Sequence, residues 1–319
     1  MFKMSHTMRA AWKSCPKKVY WKYSAGIVPK AEDNTSRAIG RAFHFALQRH
    51  RLGDKFEDVI DNSRTQLALQ LGDIGEDIMT TKELEKDLTL EEVIEDHMTR
   101  LEAYFIGYVE KFSDMDAKLK WKPEVKFDNG SDRGYIDGIA EIEGHGTYII
   151  EDKTTGVAIP EDQHFALAMD DQLMTYVIGL MDSGCDNFRG IVYRQTLKSQ
   201  KKRKKNESGA EYYQRIVEEY KTQYDNKYKE TLITFSPEAI EEYRQEIIRV
   251  NTQIAHALGT HQYYRNSGAC FSKFGRCDYL SACSGMGCEG TYKATKHEPL
   301  DDGHGRNIVN AEPYKDESE

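Results

Sequence analysis

Two short stretches of the sequence decide the fold: GYIDGIA at residues 134–140 and YIIEDKT at residues 148–154, separated by a glycine-rich turn. Both stretches predict β-strands, and the turn predicts a hairpin. Because side chains alternate between the two faces of a strand, Glu151 and Lys153 share one face. Asp137 is available from the neighbouring strand. Two carboxylates and an ammonium group at one strand end can bind a hard cation and a phosphate.

The same alternation separates the two adjacent acids of the second strand. Glu151 shares its face with Lys153 and is the predicted metal ligand. Asp152 is predicted to be the outward neighbour, which can offer the metal only its backbone carbonyl. An acid–x–lysine pattern also occurs at solvated strand ends, where it forms a surface ion pair. The pattern alone leaves both interpretations open.

The composition is that of a globular protein with a polar surface. The chain has 319 residues, of which 39% are hydrophobic and 30% charged, and its net charge is −9. This charge excludes a generically basic protein that coats nucleic acid, so any contact with a polyanion must be local. The sequence has no apolar segment typical of a signal peptide and no apolar run approaching the ~20 residues of a membrane span. We therefore expect a cytoplasmic protein.

Hydrophobic periodicity predicts a mixed α/β protein in which helices flank a central β-sheet. The predicted helices span residues 5–23, 36–50, 163–182 and 237–258, and the segment 54–112 is mostly helical. The predicted strands span residues 121–127, 134–140, 148–154, 188–197 and 230–235.

No boundary between independent domains is visible in the sequence. Residues 1–290 are predicted to form one domain. It comprises a mainly helical N-terminal part (1–120), a core (121–258) and a cysteine-rich segment (263–288). The polar residues 291–319 are predicted to be a disordered tail.

Two pairs of polar residues lie four positions apart on predicted helices. Gly40 and His44 share one helical face, and Gln172 and Tyr176 share another. A single histidine on a helix is more often structural than a ligand. Tyr176, considered alone, would be a core residue.

The cysteines are unevenly distributed along the chain. Four of the six crowd into a short stretch near the C-terminus, whereas the other two are isolated: Cys270, Cys277, Cys283 and Cys288, with Cys15 and Cys185 elsewhere. An intracellular chain keeps its thiols reduced, so the crowding favours a metal site over disulfides. Zinc is the usual metal of an isolated cysteine cluster, but the spacing lacks tight Cys-x2-Cys pairs.

Taken together, the motifs resemble the PD-(D/E)XK nuclease superfamily, and more closely its RecB-like branch. That branch combines, in order, a Gly-x-x-x-His helix, a Gly-x-Ile-Asp strand, an acid-x-Lys-Thr strand end and a Gln-x-x-x-Tyr helix. The corresponding segments here are Gly40–His44, Gly134–Asp137, Glu151–Thr154 and Gln172–Tyr176. The resemblance implies a restriction-endonuclease-like core and metal-dependent hydrolysis of DNA.

The resemblance also implies a set of metal ligands. Asp137 and Glu151 would bind Mg²⁺ or Mn²⁺, and His44 would supply a further contact. Glu124 matches a strand acid that often precedes the aspartate in this family, and its implied role is either to support a metal ligand from behind or to contact the metal itself. The alternative for Glu124 is a charged residue on an edge strand.

The remaining active-site roles follow from the same resemblance. Lys153 would position the attacking water or stabilise the transition state, and Gln172 and Tyr176 would support the lysine and the DNA. The resemblance favours an exonuclease acting on single-stranded DNA or DNA ends in recombination, repair or phage DNA processing. It also allows a helicase or recombinase as partner.

Within this branch, the cysteines resemble those of the members that carry an iron–sulfur cluster, such as AddB-type and CRISPR-adaptation nucleases. The resemblance implies that Cys15, Cys270, Cys277 and Cys283 hold a [4Fe–4S] cluster, with Cys288 as an alternative ligand. Zinc is the alternative metal. Cys185 has no partner pattern and is predicted to be a buried apolar residue.

A basic run follows the strand at 188–197. Its cationic residues are candidates for phosphate contacts: Lys201, Lys202, Arg203, Lys204 and Lys205. Tyr212, Tyr213 and Tyr220 follow and can stack on bases or pack on a neighbouring helix. The alternative is a disordered polar insert that extends to about residue 228.

Two other classes of protein remain open. One is a DNA-binding protein that has a structural metal cluster but does not cleave. Asp137, Glu151 and Lys153 argue against it, because a protein that does not cleave has no chemical need for all three. The other is a zinc-containing scaffold, which would be colourless, whereas an iron–sulfur protein would be brown.

Overall fold

The structure is a computed structural model that describes residues 3–29, 35–79, 83, 86–157, 160, 162–272, 275–285 and 292–294. The helices are α1 (His6–Ser14), α2 (Pro16–Val19), α3 (Thr35–Arg51), α4 (Phe56–Ile74), α5 (Leu90–Asp116), α6 (Gln163–Ala168), α7 (Asp171–Asp182), α8 (Gly209–Thr222), α9 (Tyr224–Lys227), α10 (Pro237–Thr260) and α11 (Leu280–Ser284). A π-helical turn at Tyr20–Ser24 and 3₁₀ turns at Gly75–Ile78 and Ser267–Ala269 join some of them.

The central sheet has five strands, and two short pairs of strands lie outside it. In chain order the strands are β1 (Ile27–Pro29), β2 (Lys120–Asp128), β3 (Arg133–Ile142), β4 (Gly146–Thr155), β5 (Phe188–Leu197), β6 (Tyr228–Ile233), β7 (Phe271–Ser272), β8 (Gly275–Arg276) and β9 (Tyr292–Ala294). The central sheet has the order β2-β3-β4-β5-β6. Only β4 and β5 are parallel, and α6 and α7 form the crossover between them. This mixed α/β architecture confirms the predicted fold class.

Helices cover both faces of the sheet. On one face, Ile139 and Ile149 pack against Leu173 and Val177 of α7. On the other, α3, α4, α5 and α8 form a separate and larger apolar cluster around residues such as Phe43. A strand end in this sheet is therefore buried from two sides, and each fully buried Leu, Ile or Phe contributes about 1.5–3 kcal/mol.

Two glycines allow α7 to lie close to the sheet. Gly134 of β3 and Gly179 of α7 flank the buried ring of Phe127, and a Cβ atom on either would lie within 2.7 Å of that ring. The ring also contacts Tyr176, with 6.1 Å between the ring centroids. The position of Tyr176 therefore depends on this close packing of helix and sheet.

Several element boundaries differ from the sequence prediction. The helix predicted over residues 163–182 is interrupted at Met169, because the Asp170 side chain caps a new helix by accepting hydrogen bonds from the backbone N–H groups of Gln172 and Leu173. The predicted polar insert contains helix α8, which packs against α5.

The two ends of the predicted domain also differ from expectation. The predicted helix over residues 5–23 is broken where Cys15 adopts an extended conformation before Pro16. Near the other end, β9 pairs with β1, so ordered structure extends beyond the predicted boundary at residue 290. The rest of the predicted tail lies outside the described residues. Within the described parts of the chain, no helix is both long and apolar enough to cross a bilayer.

Candidate active site

The sheet divides at the predicted site, where β3 and β4 diverge. Their backbone pairing begins at Gly138 and Ile150 and leaves out the next pair, Asp137 and Glu151. At this point the N–H of Asp152 donates a hydrogen bond to the carboxylate of Asp137, at 3.3 Å, instead of to a strand carbonyl. The divergence places two acidic side chains face to face in the interior of the sheet.

Glu151 is the most enclosed residue of the site. Its side chain is fully buried, and its Oε1 atom lies 2.5 Å from Lys153 Nζ and 3.0 Å from Gln172 Nε2, which donates to it. Its other oxygen, Oε2, is buried and has no hydrogen-bond partner in the described part of the chain. Since an unmatched buried oxygen is costly, Oε2 is the natural coordination point for a cation.

The charges of the site shift two pKa values. Burial, reinforced by the nearby charge of Asp137, raises the pKa of Glu151 to about 7, although Lys153 opposes the shift. For Lys153, burial would lower the pKa, but the carboxylates of Glu151 and Asp137 outweigh it and hold the pKa above its usual value. Lys153 is therefore a cation at neutral pH, and about a third of its side chain (32%) is exposed.

Helix α3 brings His44 to the second carboxylate. His44 Nδ1 lies 3.2 Å from Asp137 Oδ2, and the histidine side chain remains 20% exposed. One turn earlier on the same helix, Gly40 lies against β4, where a Cβ atom would be 3.6 Å from Thr154 Oγ1. The four-residue spacing thus places Gly40 against β4 and His44 against Asp137 on the same side of α3.

Glu124 lies beside this site in an unusual backbone conformation. Its φ angle is +52° within strand β2, and its side chain is buried. Trp121, before Glu124 in the strand, lies on the side of the sheet that faces α3, where it stacks on Arg51. Phe127, after Glu124, lies on the other side and contacts Tyr176 of α7. In a regular strand these two side chains would lie on the same side, so the left-handed residue reverses the alternation. A non-glycine residue in this conformation costs free energy and is often found at functional sites.

The side-chain amide of Gln172 links Glu151 to Tyr176. Gln172 Nε2 contacts both Glu151 Oε1 and, at 2.6 Å, the hydroxyl of Tyr176. The cap at Asp170 fixes the start of α7 and hence the direction in which Gln172 points. The structure therefore brings together Asp137, Glu151, Lys153, His44, Gln172 and Tyr176, as the motif spacing predicts.

Asp152 was predicted to be the outward neighbour of Glu151, and this prediction is wrong about its exposure. Asp152 does lie on the opposite face of the strand from Glu151, but its side chain is buried. Its carboxylate lies 2.7 Å from Arg51 Nη2, and both side chains are only 2% exposed. Arg51 also donates to the hydroxyl of Tyr108, at 2.7 Å, and Tyr108 in turn accepts from Arg194. Helix packing on the far face of the sheet encloses this ionic network.

The donor set fits a hard divalent cation. Carboxylate oxygens are the ligands that Mg²⁺ prefers, and Mn²⁺ accepts carboxylates and imidazole. Among the described residues no three Asp, Glu, His or Cys side chains converge closely enough to hold a metal ion. Lys153 and His44 instead lie against Glu151 and Asp137. The residues that would hold a metal are Asp137, Glu151 and His44, with Glu124 and the Asp152 carbonyl as further predicted contacts.

A second predicted group, the cysteines, surrounds one cavity. Cys15, Cys270, Cys277 and Cys283 all line a hollow whose empty volume, including its mouth, is about 340 Å³. All four are free thiols. Two sulfur atoms accept hydrogen bonds: Cys15 Sγ from the N–H of Asn266 at 3.3 Å, and Cys283 Sγ from Trp21 Nε1 at 3.0 Å. Cys288 lies outside the described residues, and Cys185 is buried, as its apolar role requires.

The basic run is largely occupied by internal ion pairs. Arg203 is buried and donates to Asp96 at 2.9 Å, which corrects its predicted role in phosphate binding. Lys202 pairs with Glu83 at 3.1 Å and Lys201 with Glu219 at 3.5 Å, whereas Lys204 and Lys205 are exposed.

The tyrosines after the basic run differ in the same way. Tyr212 and Tyr220 are fully buried in the core of α5 and α8 and cannot stack on bases. Tyr213 donates to Glu102 instead. The apolar contacts between α5 and α8 explain all three placements.

The comparison with protein families agrees with this geometry. Residues 3–284 match the model of the PD-(D/E)XK nuclease superfamily, which is nearly the whole chain. The protein therefore belongs to the PD-(D/E)XK nuclease superfamily, whose members are generally nucleases that use Mg²⁺ or Mn²⁺ and act on DNA. No curated protein matches the chain.

Proposed function

We propose that this protein is a Mg²⁺- or Mn²⁺-dependent deoxyribonuclease of the RecB-like type, which hydrolyses phosphodiester bonds in single-stranded DNA or at DNA ends. The observation that carries the proposal is the contact of Glu151 with Lys153, opposite Asp137, at the point where β3 and β4 diverge. A charged lysine beside two carboxylates provides both a cation site and a group that can contact phosphate.

The residues divide the reaction between them. Asp137, Glu151 and His44 would hold the divalent ion, and the ion would supply stabilisation of negative charge and activation of water. Lys153, which is cationic and partly exposed, contacts the phosphate oxygens as charge develops on them. Gln172 orients Glu151 and the hydroxyl of Tyr176 through one amide group. Glu124, between the paired residues Pro123 and Val125 of the neighbouring strand, is a further candidate contact for the ion.

The preference for ends and single strands is supported by the order of the motifs. The Gly40–His44 helix, the Asp137 strand, the Glu151–Lys153 strand end and the Gln172–Tyr176 helix occur as in RecB-like exonucleases. We assign the protein on this basis to recombination, repair or phage DNA processing.

The cysteine cavity supports a structural [4Fe–4S] cluster. Four thiols from the two ends of the chain line it, and N–H donors reach two of the sulfur atoms, a feature that tunes such clusters. Zinc is the alternative metal for the same four thiols. The test is iron and sulfide content in protein purified without oxygen, and zinc alone would refute the cluster.

The test of the nuclease activity is a digest of end-labelled single-stranded and duplex DNA with Mg²⁺, with Mn²⁺ and with EDTA. We expect cleavage with either metal, none with EDTA, and a ladder of products shortened from an end. Binding without cleavage under all metal conditions would refute the nuclease and support the DNA-binding alternative. Cleavage only at internal positions of a circular substrate would refute the exonuclease assignment.

A further inference from the structure

Basic residues are concentrated in the two segments that supply Cys15, Cys270 and Cys277 to the cysteine cavity. Residues 1–31 contain seven Lys or Arg and no Asp or Glu, and residues 247–277 contain four and none. Together these segments carry a formal charge of +11, whereas the rest of the chain carries −20, for the net charge of −9. Lys3, Arg9 and Lys13 pair with acids of other segments, which reduces this excess. The remaining cations still make the region locally basic in an acidic protein, and a polyanion is the ligand that such a region attracts.

The structure brings these two segments together around aromatic side chains. Tyr20 lies 5.4 Å from Tyr263, and Trp12 lies 6.5 Å from Tyr263 and 6.3 Å from Tyr264, all between ring centroids. The ammonium group of Lys17 lies 3.6 Å from the centre of the Tyr20 ring. We call this region the aromatic-basic surface. Its surface members are Lys17, Tyr20, Tyr263, Tyr264 and Arg265, and Trp12 is buried beneath them at 6% exposure.

This surface contains an open groove between α1 and α10. Trp12, Gln253, His256, His261, Tyr263 and Tyr264 line it, and its empty volume, including the open mouth, is about 1150 Å³. Tyr264 is 66% exposed, so most of its ring is available to a ligand. The groove combines aromatic faces with side-chain amide and imidazole groups, which can contact bases.

This combination fits single-stranded nucleic acid better than a duplex. A single strand exposes both its phosphates and the faces of its bases, and aromatic side chains in a basic groove bind it by stacking without sequence preference. A duplex exposes mainly its phosphates, because its bases are stacked on one another inside. The aromatic lining of the groove would then have no function.

We infer that the aromatic-basic surface binds a single DNA strand whose end lies in the active site. The inference rests on the proposed function for the identity of the nucleic acid. Helix α1 connects the two regions: Trp12 lies in the groove, and the next residue, Lys13, contacts Asp171 at 2.7 Å. Asp171 precedes Gln172, which contacts Glu151. These two contacts connect the helix that lines the groove to the helix that contacts Glu151. In the inferred complex, the unreacted length of the strand lies in the groove and adds binding energy.

The test is the affinity of the full-length protein for a fluorescent oligothymidylate in EDTA, which prevents cleavage, measured by anisotropy at several salt concentrations. We expect Tyr264→Ala to weaken binding about tenfold, because one stacked base is lost, and Tyr264→Phe to bind as the wild type does. Lys17→Ala is expected to weaken binding and to reduce the salt dependence by about 0.7 in the log–log slope. A blunt duplex should be unaffected by Tyr264→Ala.

Two exposed residues far from the groove provide controls. Leu69→Ala, at a site 68% exposed on α4, and Lys118→Ala, after the end of α5, should bind as the wild type does. The inference is overturned if Tyr264→Ala binds with wild-type affinity, if it weakens duplex binding equally, or if the controls lose as much affinity. Equal iron content in all variants excludes damage to the cysteine site.

The digest separates this inference from the proposed function. A protein that cleaves DNA but binds it independently of Tyr264 refutes only the aromatic-basic surface. A protein that binds single strands through Tyr264 but never cleaves them refutes only the nuclease assignment.

Discussion

Arg51 and Asp152 form an ion pair, with Nη2 and Oδ2 2.7 Å apart, on the face of the sheet opposite the candidate active site. Each belongs to an element that also carries a site residue. Arg51 is two turns beyond His44 on α3, and Asp152 lies between Glu151 and Lys153 on β4. The pair therefore fixes the helix that carries the histidine relative to the strand that carries the carboxylate and the lysine.

Replacing Arg51 with methionine should impair both stability and catalysis. The change leaves Asp152 buried without its partner, and loss of one member of a buried pair typically costs about 3–5 kcal/mol. Because α3 also shifts, we expect kcat to fall while KM for DNA changes little. Chemical unfolding and steady-state cleavage kinetics measure the two effects.

The double variant Arg51→Met/Asp152→Leu is the matched control for this prediction. It removes both charges, so most of the lost stability should return. If Arg51→Met alone unfolds like the wild type and cleaves at the same rate, the pair has no positioning role.

The positive φ angle of Glu124 predicts an inverted effect of glycine. In an ordinary strand, glycine is less stable than alanine. At φ +52° the order should reverse, with Glu124→Gly more stable than Glu124→Ala by about 1 kcal/mol, because alanine is strained in the left-handed region. Thermal unfolding of the two variants measures the difference, and a more stable alanine variant would contradict the observed backbone.

His97 on α5 predicts a loss of stability in mild acid. Burial, together with the charge of Arg100, lowers the pKa of His97 to about 3, from 6.5 in an unfolded chain. Below pH 6.5 the His97 imidazole is therefore protonated in the unfolded state but not in the folded state. The free energy of unfolding falls as the pH falls from 6.5 towards 3. At pH 5 the loss is about 2 kcal/mol.

Urea unfolding of the wild type and of His97→Asn at pH 7.5 and pH 5 checks this prediction. Asparagine keeps a hydrogen-bond acceptor near Arg100 but does not titrate, so its acid loss should be smaller by that amount. Identical losses for both proteins would show that His97 does not contribute.

Cys277→Ser should destabilise the nuclease core without changing a catalytic residue. The cluster we propose would join Cys15 to Cys270, Cys277 and Cys283, and so close a loop that contains almost the whole fold. By analogy with disulfide loops, such a constraint contributes on the order of 5 kcal/mol. Iron content and melting temperature should fall together. Cys185→Ser should leave the iron content unchanged.

The sequence predicts the centre of this fold well because its signals are local. The alternation of β4 correctly separates Glu151 from Asp152, and the four-residue spacing correctly places His44 and Gln172 towards the strand ends. Those features depend on strand and helix periodicity alone.

Features that depend on distant partners could not be predicted. The burial of Asp152 requires Arg51, which lies more than a hundred positions earlier and would be expected to be exposed on a helix end. Arg203 likewise belongs to a basic run that appears solvated until Asp96 of α5 is placed beside it. The interruption at Met169 had a local signal, since Asp170 is a strong helix cap, but the continuous apolar stripe of residues 163–182 concealed it.

The sequence does indicate the aromatic-basic surface, but the net charge of the whole chain conceals it. The net charge of −9 argues against a basic protein, yet the first 31 residues contain no acid. Charge counted over segments, rather than over the chain, identifies the region.

The most direct test of the central claim is single-turnover cleavage of a labelled single strand with Mn²⁺ by the wild type, Glu151→Gln, Lys153→Met and the surface control Lys118→Ala. Each protein is first shown to be folded by its unfolding curve. We predict that the wild type and Lys118→Ala cleave at similar rates, and that the two site variants lose at least about 10²–10³-fold in rate. Wild-type cleavage by Glu151→Gln or Lys153→Met, or no cleavage by the wild type, would contradict the assignment of this site.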